Sequence, residues 1–229
     1  MGMTGLRRMA GVLAKPRHAN AGLVLSRYDL RMPVYFVTCH AYRSWSEANP
    51  RGYVQRDEGL LPPSEKLARW RAEHAEQPPT RFDDAQKMLL LDVVEELAEE
   101  DALQLYGTSC TATHLHMVIG FEAPPCQCPR SQAAEAEHCL AGCAARARAD
   151  DWATRVKRIG GFRLAEAADV RGRKWFGRGW DVTPVRGVAH FRHVVREYLP
   201  KHRGEGGMVR VYAVKKKAAE AAPHWHDGA

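Results

Sequence analysis

The chain has no long apolar run. Its longest, Met88-Leu89-Leu90-Leu91, stops at Asp92, far short of the ~20 residues needed to cross a bilayer. Arg7 and Arg8 near the start are followed by no apolar stretch, so the pattern of a secretory leader is missing. Cysteine is sparse, 6 in 229 residues with no regular framework. That excludes the disulfide-stapled secreted class and makes a reducing cytoplasm, near the nucleoid, the expected compartment. No internal repeat is visible. Acidic charge is in the minority: 27 Asp and Glu stand against 34 Lys and Arg, a formal net charge of +7. Such an excess attracts polyanions through phosphate charge and counterion release, which raises nucleic acid as a partner beside the plainer reading of a basic enzyme. No membrane partner is expected.

What is present suffices for a core, since 45% of residues are hydrophobic. Residues 1–31 read as a basic N-terminal tail, and the folded part is expected over 32–212. VYFVTCHAYR (34–43) reads as a strand. Residues 44–82, with five prolines, read as a long excursion carrying one short helix near 64–75. Asp83 and Asp84 open an amphipathic helix over 83–100, with Met88, Leu91, Val94 and Leu97 inward. Residues 103–110 and 114–121 read as neighbouring antiparallel strands. Pro124, Pro125, Pro129 and four cysteines then mark an insertion at about 122–149. A helix is expected over 150–168 with Trp152, Val156, Ile159 and Leu164 inward, then a loop and strand over 174–184, a helix over 188–199 and a strand over 208–214. The last stretch, 213–229, reads as a disordered basic C-terminal tail. The element order predicts an α+β fold, a ferredoxin-like antiparallel sheet with two helices crossing one face.

Three features could carry chemistry. His114-Leu115-His116 lies on a predicted strand, so both imidazoles share one face and can hold one divalent ion, while Leu115 and Met117 point to the core. The plainer reading is two polar histidines on an exposed sheet face. Tyr198 lies on a predicted helix with His202 four residues on, on the same side if the helix persists past Pro200. A phenol with pKa near ~10 needs a metal at the target phosphate, or a base, before it can act as nucleophile; otherwise Tyr198 is a half-buried helix residue. Finally, Arg155, Lys157 and Arg158, followed by Arg173, Lys174 and Arg178, are interleaved with Trp175, Phe176 and Trp180. This mixture suits single-stranded nucleic acid, held by cations and stacked on rings, though charges this common also serve as solvated surface and the rings as core. In the insertion, Cys126, Cys128, Cys139 and Cys143 form two close pairs that could hold a structural Zn2+ or remain four reduced thiols in a loop. Cys39 and Cys110 read as core.

Taken in order, VYFVTCHAYRSW (34–45), THLHMVIGF (113–121), KWFGRGWDV (174–182) and REYLPKH (196–202) resemble the corresponding segments of single-tyrosine HUH transposases. The similar branch contains the REP-associated tyrosine transposases and the insertion-sequence-200-like transposases. The resemblance covers about residues 32–203. It implies that His114 and His116 bind Mg2+ or Mn2+, that Tyr198 attacks a phosphate of single-stranded hairpin DNA to give a 5′-phosphotyrosine link, and that a 3′-hydroxyl then rejoins the strand. It implies no nucleotide cofactor and a homodimer. Where the family commonly supplies glutamine as third metal ligand, this chain has His202, a competent ligand that alters metal preference. Two other functions stay open: a domesticated, non-catalytic regulator binding DNA or RNA, and a metal-dependent nuclease. The nuclease is weakened because Met117 and Val118, not Asp, follow the second histidine.

Overall fold

The computed structural model describes residues 32–55, 58–122 and 144–212. The two expected tails, most of the insertion and all four of its cysteines lie outside the described residues. Among the described residues, seven strands and five α-helical stretches follow in the order β1 (Val34–Ala41), β2 (Tyr53–Gln55), β3 (Gly59–Leu61), α1 (Glu65–Glu73), α2 (Asp84–Glu100), β4 (Gln104–Cys110), β5 (His114–Gly120), α3 (Ala144–Ala167), β6 (Phe176–Pro184), α4 (Gly187–Arg192) and, after a π-helical segment at His193–Tyr198, α5 (Leu199–Lys201) and β7 (Met208–Val211). Five strands form one sheet in the order β6-β1-β5-β4-β7, every pair antiparallel. The first four repeat the ferredoxin-like arrangement, and β7 adds an edge beyond β4.

One face of this sheet is apolar. Tyr35, Val37, Cys39 and Ala41 of β1 and Leu115, Met117 and Ile119 of β5 pack under α2 and α3 in one buried cluster. Strand residues alternate between faces, so each second residue of these strands joins that cluster. Helix α2 begins where expected, on Asp83, in a capping box with Gln86. Its buried stripe is Leu90, Leu91, Val94 and Leu97; Met88, expected inward, is exposed, because Leu90 and Val93 widen the apolar stripe to the other side. In α3, Trp152, Val156 and Leu164 are buried and Ile159 packs beside them. Gly160 lets the two helices touch: a Cβ there would stand 2.9 Å from Leu90 Cδ2.

Two boundaries are corrected. The helix starts at Ala144 rather than 150, so 144–149 belong to α3, with Ala145 and Ala149 buried; alanine and arginine are strong helix formers, and the proline and cysteine composition just before them drew the insertion too far. The excursion holds a β2–β3 hairpin besides its helix, two strands of three residues each that are too short to announce themselves as strands. Helix α1 buries none of its residues.

The third helical run, 187–201, lies on the other face, where Phe191, Val194, Val195 and Leu199 pack on Val34, Tyr106 and Val118. Pro200 does not break it. Proline has no N–H and crowds the carbonyl four residues back, and the chain answers just ahead of it with a π segment, in which the Leu199 N–H reaches back five residues to the Val194 carbonyl.

Candidate active site

The second face of the sheet changes character halfway along its central strands. Register places Thr38 of β1 between His116 of β5 and Asp181 of β6, and Ser109 of β4 on the far side of His116. Four strands thus contribute one polar row. In the next row His40 faces His114. His116 is 3% exposed, so it is no surface histidine, and its Nδ1 shares a 3.0 Å hydrogen bond with Thr38 Oγ1. His114 Nδ1 bonds Thr113 Oγ1 at 2.7 Å. The His114 and His116 rings lie parallel at 5.6 Å, the geometry that alternation on a strand dictates. His40 meets His114 edge-on at 4.7 Å.

The helical run supplies the rest. The Tyr198 ring stands edge-on to Phe36 at 5.4 Å, to His116 at 5.6 Å and to His202 at 5.1 Å. His202, in the turn after α5, is buried and stacks on His116 at 4.8 Å. Its Nδ1–H donates to Glu205 Oε2 at 2.8 Å, which leaves Nε2 as the free nitrogen, buried and without a hydrogen-bond partner among the described residues. The turn is pinned from below by Lys87, whose Nζ donates to the Gly206 carbonyl and to Asp84, both at 2.8 Å. Lys201 Nζ sits 4.4 Å from the Tyr198 ring centre.

These groups line one cleft of about 580 Å³, together with Trp45, Arg51, Arg81 and Asp181. Burial, then the charge of neighbouring histidines, holds His114 down at about 4 and His116 at about 2. Burial also lowers His40, against the pull of Asp181. All three are therefore neutral at pH 7, the form in which imidazole binds a metal. Tyr198 moves the other way: burial first, then the Glu205 carboxylate, raise its pKa, and only the Arg51 guanidinium opposes them. The phenol is thus not activated by its surroundings. The histidines offer the right donor atoms for a divalent ion, and His202 Nε2 is an orphaned one. Their rings stack rather than converge, however, and among the described residues no group of three His, Cys, Asp or Glu is arranged to hold an ion.

The structure thus brings Tyr198, His114, His116 and His202 into one cleft, whereas the basic residues read from the sequence stand elsewhere. Arg155 and Lys157 are on α3, across the sheet, and are occupied: Arg155 pairs with Glu100 and Asp101, and Lys157 donates to the Gly177 carbonyl at 2.6 Å while covering Trp180. Trp180 itself belongs to the α3 side, its indole N–H donating to Asp150. Lys174 pairs with Glu76, Arg173 covers Trp175, and Arg158 and Arg178 are exposed. None of these six lines the cleft. Among the described residues, the cations that do are Arg51, Arg81 and Lys201. Sequence reading also missed His40, Thr38 and Asp181, though the alternation along 34–43 carried a signal: Phe36, Thr38 and His40 share a face, opposite Val37 and Cys39.

No family model matches the chain, and no curated protein matches it. Among the described residues no helix is long and apolar enough to cross a membrane. The solved structure of a REP-associated tyrosine transposase bound to a REP hairpin is similar over 79% of this chain and 73% of that one, at 9% identity and a TM-score of 0.39.

Proposed function

We propose that this protein binds single-stranded DNA and cuts and rejoins it, with Tyr198 as the nucleophile. One observation carries the reading: the tyrosine of one helix meets His116 of a central strand, with His202 beside both and His114 lining the same cleft. The Tyr198 oxygen attacks a phosphorus of the strand, forming the phosphotyrosine bond as the bond to the 3′-oxygen breaks. The phenolic proton is lost and the departing oxygen takes one up, so a 3′-hydroxyl is freed. Attack by a 3′-hydroxyl on the phosphotyrosine reverses these bonds and rejoins DNA without a nucleotide cofactor. His114 and His116, with His202 as third ligand, would hold a divalent ion, magnesium or manganese, which would supply positive charge beside the phosphate. Thr38 and Glu205 fix the orientation of two of those rings through their Nδ1 atoms.

The test is a denaturing gel with labelled single-stranded hairpin DNA, with and without manganese, beside Tyr198→Phe. The expected result is a manganese-dependent protein–DNA adduct that the variant does not form. Cleavage without an adduct would turn the reading to a metal-dependent nuclease. Binding with neither would turn it to a non-catalytic regulator, a reading favoured by one feature, the raised pKa of Tyr198.

A further inference from the structure

The mouth of the cleft is built differently from its floor. Trp45 is 44% exposed, an unusual place for a large indole, yet it lines the same cleft as Tyr198 and the histidines. Arg51, Arg81 and Lys201 are exposed beside it. Many cations of this chain are engaged: Arg43 by the carbonyls of Gln77 and Arg71, Arg71 by Glu47, Lys174 by Glu76 and Arg210 by Asp92 and Glu95. Arg51, Arg81 and Lys201 have no such carboxylate among the described residues. The cleft carboxylates Glu205 and Asp181 are themselves occupied, Glu205 by the His202 N–H and Asp181 by the Thr183 hydroxyl. Two of the cations bear directly on the tyrosine: Arg51 lowers its pKa by charge, and Lys201 lies over its ring.

From this we infer that the cleft mouth seats one unpaired nucleotide of a DNA strand, its base stacked on Trp45 and its adjoining phosphate held by Arg51 and Lys201 next to Tyr198, with Arg81 on the following phosphate. An exposed indole beside unpaired cations is the pattern by which single strands are bound without base-specific hydrogen bonds, since every base has a ring face. The inference rests on the DNA reading above and adds to it where the strand lies and that this contact is tolerant of sequence. It also places the excursion that carries Trp45 and Arg51, whose helix buries none of its residues, on the substrate side.

The test uses the full chain carrying Tyr198→Phe, so that binding is read without cleavage. The probe is a fluorescein-labelled single-stranded DNA hairpin with unpaired arms, titrated by anisotropy at several salt concentrations. Trp45→Ala should weaken binding about tenfold, and Trp45→Phe should restore most of it. A hairpin whose arm carries one abasic position in the seat, found by moving that position along the arm, should bind the parent more weakly and Trp45→Ala no differently from the intact hairpin. Arg51→Gln should reduce the slope of log affinity against log salt by about one. Unchanged affinity in Trp45→Ala, with circular dichroism unaltered, overturns the seat, as does no binding to the hairpin at all, or preference for RNA of the same sequence. The two readings fail separately. Adduct formation by the Tyr198 protein with no effect of Trp45→Ala removes the seat and keeps the chemistry; a Trp45 effect with no adduct keeps the seat and removes the chemistry.

Discussion

The two faces of the sheet differ although the same strands build both. Under α2 and α3 the side chains of β1 and β5 are Tyr35, Val37, Cys39, Leu115 and Met117, all buried in one apolar cluster. One residue away on the same strands, Phe36, Thr38, His40, His114 and His116 line a cleft. The apolar face holds even its thiols inert, with burial raising Cys39 and Cys110 to about 12. On the other face burial acts equally hard on groups that are useful when neutral, and the histidines stay uncharged. Central strands, buried on both sides, can devote one face to holding the fold and the other to positioning polar groups, because a side chain on one face is independent of its neighbour on the other.

Adjacent residues of β5 offer the sharpest way to break this comparison. His116→Gln should reduce adduct formation at least a hundredfold, as expected when a group stabilising the transition state is lost, while changing unfolding free energy by less than about 1.5 kcal/mol. Leu115→Ala should do the reverse, lowering stability by about 3 kcal/mol and leaving adduct yield unchanged at temperatures where the variant is folded; urea unfolding and the gel assay read the two. Next in size is Gly207→Ala, behind the His202 turn. A Cβ there would lie 2.7 Å from the His202 carbonyl oxygen, so backbone must move, at about 1–3 kcal/mol, and adduct yield should fall with it.

A smaller effect follows from the buried histidines. In the metal-free protein His114 and His116 are held down at about 4 and about 2, below their values in the unfolded chain. Between pH 6.5 and 4 the unfolded chain therefore binds more protons than the native one, and stability falls as pH falls through that window. The double change His114→Gln and His116→Gln should flatten this slope in unfolding experiments at pH 7, 6, 5 and 4. Least of all, Lys174→Ala removes an exposed ion pair with Glu76 and should leave the urea unfolding midpoint unchanged.

Much of this molecule was legible in the order of its residues. β-Branched and aromatic residues marked β1, the N-cap aspartates marked the start of α2, and the spacing of His114 and His116 put both imidazoles on one face, as found. Composition, cap chemistry and the two-residue period of a strand are all local properties of the chain. Even the pairing of Tyr198 with His202 followed from helix spacing, although the π segment ahead of Pro200 did not. Which face each helix covers was a different matter. The sequence could not say that α3 and its basic residues pack across the sheet from Tyr198, so Arg155 and Lys157 read as DNA-binding cations, while in the fold they meet Glu100, Asp101 and the carbonyls beside Trp180. Nor could it say that His40, 74 positions from His114, would face it across two paired strands, or that Trp45 and Arg51 would come to the mouth of the same cleft. Local chemistry chose the elements and the faces of each strand; strand register and the side on which each helix packs, set by contacts far apart in the chain, chose which of those faces meet.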